Sequence, residues 1–479
     1  MAVSTGLPNA VVTGIVTGSI VAMGGIGLAL VYSIAEVPNF AHGELLTLGA
    51  FMALFVNTPN KVPVFELLAT GPQSISTAGL LVLFLLAAGA TLGIVYLLDG
   101  SSGLRGSWWP VDPPPILALV AHVALAVLLG AGVALGAPSI WAGVLLAALL
   151  VGVIAPLTEK IVFRTFREEG ASLATMLIAA LGVSLILRFG TQAIYGGASR
   201  LYSVPGEAKV LGTTQYLTNA KFFDLYLRGT GAIVHLVETG TDPDTTISTI
   251  GFGWLAVLVI LGGTVAVAYG SYRWRRQAAG GFVEAQTVGP KLTGTIAGLA
   301  ALIVLSVGLA SGTTVPEQFA YATRIRLFPL KLLIVLIAVL MMVSLHLLLQ
   351  ETKLGTAMRA SSDNLDLAKV TGINTDRVMM ATWIIAGLYA GLAGVMLGLS
   401  LSRVQVNIGF FLLLPMFAAV ILGGIRSVYG VILGSYVVGL AMDVGFTVLP
   451  VGNNYRVPIA FGVLFAVLLV RPEGLVGRS

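Results

Sequence analysis

The chain has 479 residues, of which 57% are hydrophobic and 10% charged, against about 25% charged in an ordinary soluble domain. That balance excludes a soluble globular fold, and the 59 glycines agree, because Gly is frequent in membrane helices. The net charge of +5 contains no block of five like charges and reads as loop charge of a membrane protein, not as a nucleic-acid surface; zero Cys excludes disulfides and thiolate-ligated metal centres.

Apolar runs are continuous and do not alternate with period two, which predicts helices and excludes a barrel. In chain order they are Asn9–Ile34, Gly43–Val56, Thr77–Leu98, Ile116–Gly136, Ser139–Pro156, Ala171–Tyr195, Gly251–Gly270, Thr293–Ala310, Pro329–Leu349, Arg377–Leu399, Phe410–Gly423, Val431–Val444 and Val457–Val470. The fold class is therefore an all-α polytopic membrane protein with about 11–13 membrane segments, some of them short or broken. The first run has no Lys or Arg before it and is long enough to span, so it stands as a retained helix and not as a cleavable leader. Gly43–Val56, Phe410–Gly423 and Val431–Val444 fall short of the roughly 20 residues a straight span needs. Short, Gly-interrupted segments at membrane depth must pack in protein or line a cavity, so a pathway is expected beside them.

Two connections stand out. Ser101–Pro115 carries two Trp and four Pro, as an interfacial connection should. Gly196–Ile250 is polar enough to form a small extramembrane subdomain. Basic residues set the orientation as N-out and C-in: Lys160, Arg164 and Arg167; Arg273, Arg275, Arg276 and Lys291; Lys353, Arg359, Lys369 and Arg377; and Arg105, Arg426, Arg471 and Arg478 fall inside. Arg324, Arg326 and Lys331 fall on the opposite side and run against that rule.

Catalytic and metal-site patterns are absent from the sequence. His42-Gly43-Glu44 has ligand residue types without the i,i+4 His pair of a zincin, and His122 and His346 read as packed or interfacial side chains, so no metal is assigned. No GxSxG is present, and no Lys is followed by Ser or Thr, so the chain has no Walker A motif. A pump built from it draws on an ion gradient or on a separate ATPase.

Glu351–Arg377 (ETKLGTAMRASSDNLDLAKVTGINTDR) is the most informative inner-face stretch. Ser362 is expected to cap a short helix, with Asp363 and Asp366 at its positive end, Lys369 in its last turn and Gly372 as the left-handed stop. A plain connector and a docking element both satisfy this composition, with Leu365, Leu367, Ala368 and Val370 as available apolar contacts.

The run KLGTAMRASSDNLDLAKVTGIN followed by AGLYAGLAGVMLG resembles the cytoplasmic loop and next helix of permease subunits of branched-chain amino acid ABC transporters. PNFAHGELLTLGAFMA, EKIVFRTFR with Thr165 in place of the family's usual Pro, AALGVSLILRFG, FAAVILGGIRSVYGVILG and LLVRPEGLVG match the family's blocks in order. The resemblance implies one transmembrane permease domain over 1–479, in the cell membrane of a prokaryote. It imports a branched-chain or other small amino acid and holds no cofactor of its own, with ATP on partner subunits. The implied partners are two ATPase subunits, a second permease subunit, identical or homologous, and an extracytoplasmic substrate-binding protein. It further implies that residues 351–377 couple to the ATPases, through the matching positions Gly355, Met358, Arg359, Ala360, Ala368, Gly372, Ile373 and Asn374. Two stretches exceed the family's size, 62–136 and 207–316, and each reads as an inserted helical pair that preserves the orientation of the downstream helices. Related permeases carry urea, short amides or other polar solutes, which leaves the solute open, and an ion-gradient transporter or channel is the rival class.

For the pathway, the polar residues beside the short segments are Asn39, His42, Glu44, Asn407 and Asp443. A buried ionisable group in a span costs about 3 kcal/mol on insertion scales and is a functional candidate by default. The plainer alternatives are that Glu44 caps a helix and that Asp443 lies at an interface. Arg188, inside its apolar run near Gly190 and Gln192, is expected to pair with backbone or to snorkel outward.

Overall fold

A computed structural model describes the chain except for residues 1–5, 38, 63–64, 72–73, 105–114, 205–206, 211–212, 217–220, 239–244, 279–289, 314–320, 425–426, 450–454, 472–473 and 476–479. Arg105, Arg426, Arg478 and most of the Ser101–Pro115 connection lie outside the described residues.

The helices are α1 (Gly6–Ala35), α2 (His42–Asn57), α3 (Thr77–Leu104), α4 (Pro115–Gly136), α5 (Ile140–Thr158), α6 (Arg164–Glu168), α7 (Leu173–Tyr195), α8 (Trp254–Ala278), α9 (Pro290–Gly308), α10 (Pro329–Glu351), α11 (Lys353–Asp363), α12 (Leu365–Val370), α13 (Thr375–Leu401), α14 (Ile408–Gly423), α15 (Val428–Val448) and α16 (Arg456–Val470). Each expected apolar run corresponds to a helix, with ends displaced by one or two residues in three of them and Gly251–Gly253 belonging to a strand instead of the helix that starts at Trp254. Among the described residues, nine helices are long and apolar enough to cross a membrane, and α14 and α16 are shorter apolar helices. The chain is a helical polytopic membrane protein. The expected list of short segments needs one exchange. Ser427 accepts from the Gly430 N–H at 3.0 Å and starts α15 early enough to give it 21 residues, so α15 can span, whereas α16 has only 15.

Chain contacts separate two compact units: Met1–Val12 with Asn219–Pro329, and Thr13–Thr218 with Leu330–Ser479. The first contains strands of its own. β1 (Ala69–Gly71), β2 (Ser74–Ile75), β3 (Arg200–Leu201), β4 (Glu207–Val210), β5 (Thr213–Tyr216) and β11 (Arg403–Val404) form small two-stranded pairs in the second unit. In the first unit, β6 (Lys221–Arg228), β7 (Gly231–Glu238), β8 (Thr245–Gly253), β9 (Ser311–Gly312) and β10 (Tyr321–Leu327) build an antiparallel sheet in the order β10-β6-β7-β8-β9. Tyr226, Ile233 and Ala322 form its small core. Arg324, directly opposite Asp224 in register, donates from Nε and Nη2 to the two carboxylate oxygens, both at 2.6 Å. The Asn9 amide closes the outer edge of β10, donating to the Arg324 carbonyl at 3.1 Å and accepting from the Arg326 N–H at 2.7 Å, as a neighbouring strand would. Arg324 and Arg326 are thus sheet residues directly before α10, and they still run against the expected orientation. α8 packs along α9 in the same unit.

In the second unit α3 packs along α4, and α2, α5 and α13 pack on one another at close range. Close approach of membrane helices needs small residues, since lipid supplies no hydrophobic drive between them. Gly391 of α13 meets this need: a Cβ there would stand 2.7 Å from the Ala147 carbonyl oxygen of α5. The helices divide sharply in burial, with α1 and α13 enclosed and α7 open on most of its apolar face.

Candidate functional site

The chain leaves α1 at Ala35 and restarts at His42, so α2 has 16 residues and is about 24 Å long, short of a hydrocarbon layer of about 30 Å. Asn39 forms the turn into it, its Oδ1 accepting from the Ala41 N–H at 3.0 Å. His42 turns back to α1, where Nε2–H donates to the Gly24 carbonyl at 2.9 Å; a carbonyl only accepts, so Nδ1 is the bare nitrogen. Thr47, one turn on, accepts from the Gly409 N–H at 3.0 Å. Gly43 lies so close to Gly409 that a Cβ on it would sit 2.9 Å from the Gly409 oxygen. The first turns of the two short helices α2 and α14 therefore touch, and both present the positive end of a helix dipole.

Glu44 occupies the first turn of α2 and is buried. Its Oε1 accepts from Arg188 Nε at 2.9 Å and makes a second, closer contact with Nη2. The guanidinium lies 4.3 Å above the Phe410 ring, in the first turn of α14, and Ser184, one turn before it on α7, stands beside the carboxylate. Arg188 thus neither pairs with backbone nor snorkels: an acid 144 positions away holds it. Asn39 Nδ2, His42 Nδ1 and Glu44 Oε2 are buried without a hydrogen-bond partner among the described residues.

The other two expected pathway residues are placed differently. Asn407 precedes α14, exposed, and its side chain makes no capping bond. Asp443 is buried in α15, where Oδ2 accepts from Thr17 Oγ1 of α1 at 2.6 Å and Oδ1 pairs with Arg456 at the start of α16. Among the described residues no group of His, Asp and Glu is arranged to hold a metal ion.

The 351–377 stretch holds two helices where one was expected. Thr352 caps α11 by accepting from the Gly355 N–H at 2.9 Å, and Asn364, not Ser362, caps α12 by accepting from the Leu367 N–H at 2.9 Å. Ser362 and Asp363 instead finish α11, because Asn364 turns the chain to extended geometry and separates the helices. Asp366 and Lys369 do occupy the first and last turns of α12, and Gly372 comes after it with φ +89°. Gly355, Met358 and Ala368 are buried, Ala360 and Ile373 half-buried, and Asn374 caps α13 by accepting from the Arg377 N–H at 3.0 Å. Gly355 packs so tightly on Leu348 that any side chain would meet its carbonyl. Outward from these anchors stand Leu367 at 60% exposure and Val370 at 85%, with Arg359, which donates to Gln350 Oε1 at 3.3 Å.

EKIVFRTFR supplies a feature that sequence reading missed. Beyond Pro156, α5 passes into one π-helical turn, Glu159–Phe163, before α6; such turns recur at functional sites. Glu159 is buried and paired with Arg167, Arg164 reaches Asp376 at 3.7 Å, and Phe163 stacks on Trp383 with ring centroids 5.4 Å apart. The turn is thereby tied to the N-terminal part of α13.

The sequence profile of the family described as branched-chain amino acid transport system / permease component matches residues 230–469, half of the chain. The high-affinity branched-chain amino acid transport permease protein BraD of Pseudomonas aeruginosa is 36% identical over 149 residues, 31% of this chain and 48% of the relative. LivH of Escherichia coli K12, of the same description, is 35% identical over 143 residues, 30% of this chain and 46% of the relative. A probable LivH of Methanocaldococcus jannaschii is 26% identical over 331 residues, 64% of this chain and 91% of the relative. The chain spans about half the length of the first two curated relatives. No solved structure matches.

Proposed function

The chain belongs to the branched-chain amino acid transport permease family, and on that premise we propose that it is the membrane-spanning permease subunit of an ABC importer for branched-chain or other small amino acids. Two separate ATPase subunits drive it through residues 351–377, a second permease subunit completes the pathway, and an extracytoplasmic binding protein delivers the solute. ATP stays on the partner subunits, and the chain is N-out and C-in.

The observation that carries this reading is the doubly capped α11–α12 segment. A rigid pair of short helices, anchored by Gly355, Met358 and Ala368, turns Leu367, Val370 and Arg359 outward at once. Exposed apolar side chains and an exposed guanidinium fork on one capped segment suit a protein partner bearing a carboxylate. We assign the pathway to Asn39, His42 and Glu44, whose polar atoms are buried and incompletely bonded, with Asn407 at the adjoining start of α14. Asp443 we assign to holding α15 against α1 and α16, since both of its oxygens are engaged.

The test is Arg359→Glu in the full chain, co-expressed with its ATPase subunits. We expect normal membrane insertion with loss of ATPase co-purification or at least a tenfold fall in ATP-dependent uptake. Unaltered uptake would remove the docking role, and uptake by the chain alone on an ion gradient would replace the ABC reading with a secondary transporter.

A further inference from the structure

Glu44 and Arg188 form an ion pair of unusual geometry. A guanidinium and a carboxylate frequently meet as two parallel bonds, each oxygen taking one N–H. Here Nε and Nη2 both converge on Oε1, while buried Oε2 takes no arginine hydrogen bond and has only the Ser184 hydroxyl standing beside the carboxylate. The Nη1 edge of the guanidinium takes no part in the pair, although its flat face is fixed over Phe410.

The pair is also open on one side. The Glu44 side chain is 1% exposed and that of Arg188 17%, on a helix whose neighbouring Leu185, Ile186 and Phe189 are exposed apolar residues. A cation open to that degree within an apolar helix is costly against hydrocarbon, so its open side requires water, a polar solute or the cover of a partner subunit. Two helix N-termini, those of α2 and α14, end at the same place and add partial positive charge that favours a carboxylate. Buried polar atoms without partners are few in folded proteins, yet Asn39 Nδ2, His42 Nδ1 and Glu44 Oε2 fall within one turn and its approach.

We propose that Glu44 and Arg188 read the two charged ends of a zwitterionic amino acid, Glu44 Oε2 accepting from the ammonium and the free guanidinium edge donating to the carboxylate. This rests on the permease reading and names the polar half of its substrate site. When no solute is bound the two side chains neutralise each other. A solute carrying both charges in one molecule replaces that contact without leaving either charge bare, whereas a solute with one charged end leaves its counterpart unpaired.

The test uses the purified full chain in lipid nanodiscs, with thermal unfolding followed as each of three probes is titrated to 10 mM: L-leucine, 3-methylbutylamine, which lacks the carboxylate, and 4-methylpentanoate, which lacks the ammonium. A ligand that binds only the folded state raises the unfolding temperature as its concentration passes its dissociation constant. We expect saturable stabilisation by leucine, binding at least tenfold weaker for either single-ended probe, and loss of the leucine response in Glu44→Gln and Arg188→Lys. Arg456→Lys, which changes a different buried pair, keeps the response. Equal stabilisation by leucine and 3-methylbutylamine, or none by any probe, overturns the proposal using the wild-type protein alone, whatever the variants do. The permease reading is judged separately by Arg359→Glu, so the two failures are distinguishable.

Discussion

Glu44 and Asp443 are both buried carboxylates of the same helical unit, both face an arginine that lies partly open, and both stand in helices that reach α1 or its continuation. They differ in how completely they are bonded. Asp443 gives one oxygen to Thr17 and the other to Arg456, which closes α15 onto α1 and α16. Glu44 receives both arginine contacts on one oxygen and leaves the other empty. Burial of an acid in a membrane protein therefore does not by itself separate a structural clamp from a solute contact. Nor does an unbonded oxygen alone, since Glu159 Oε2 is also buried without a partner among the described residues beside Arg167; what sets Glu44 apart is that its bare oxygen lies with two further unpartnered polar atoms, Asn39 Nδ2 and His42 Nδ1, where two helix N-termini meet.

The largest expected effect tests the clamp. Removing one partner of a buried ion pair leaves the other charge uncompensated, which costs about 3–5 kcal/mol. Asp443→Ala and Arg456→Ala should each lose stability of that order, read as a lowered midpoint of denaturant-induced unfolding in nanodiscs, while the double replacement by apolar residues recovers much of it. An Asp443→Ala protein with wild-type stability and abolished uptake would break the comparison and make Asp443 a pathway group.

A smaller change makes Asp443 resemble Glu44. Thr17 donates to Asp443 Oδ2 at 2.6 Å, and Thr17→Val keeps the shape while leaving that oxygen bare. The cost should be about 1–3 kcal/mol, the desolvation penalty of one unpaired acceptor. No leucine response should appear or vanish with it. If Thr17→Val costs nothing, an unbonded oxygen is cheaper here than supposed, and the empty Glu44 Oε2 loses its meaning as a sign of a solute.

Much of this arrangement is legible in the sequence, and the part that is not has a common cause. The apolar runs mark the helices because long apolar stretches without period-two alternation admit little else, and the short runs Gly43–Val56 and Phe410–Gly423 point to the place where α2 and α14 meet. Glu44 is conspicuous as an acid at the head of an apolar run. Its partner is not, since Arg188 lies 144 positions away and nothing local distinguishes a paired arginine from one that snorkels. The Thr47 contact with Gly409 spans 362 positions and is equally silent. The sheet does have a local signal: KFFDLYLR and GAIVHLVE are β-rich runs joined by Gly229–Thr230, a hairpin pattern, but their polar neighbourhood draws notice to composition over period. The Asn364 cap is hidden because Ser362, two residues earlier, has the same capping chemistry, and only the fold of the segment decides between them.

The smallest predicted effect sets the two arginines side by side. Arg188 lies 4.3 Å from the centroid of Phe410, and Arg456 lies 5.3 Å from that of Phe446. Attraction between a cation and an aromatic face is worth about 0.5–2 kcal/mol and rises as the pair is desolvated and drawn together. Phe410→Leu should therefore cost about 1 kcal/mol and Phe446→Leu no more than about 0.5 kcal/mol, measured on the same unfolding scale. The same substitution at both sites cancels most of the difference in apolar burial, so the remainder reports on the arginine. Phe410→Leu should also weaken leucine binding several-fold, because the ring fixes the plane of the guanidinium edge that the carboxylate must meet. Phe446→Leu should leave leucine binding unchanged, since Arg456 is already committed to Asp443. Equal costs and equal binding in the two variants would mean that both rings serve as packing alone, and that the plane of Arg188 is set by Glu44 without help from Phe410.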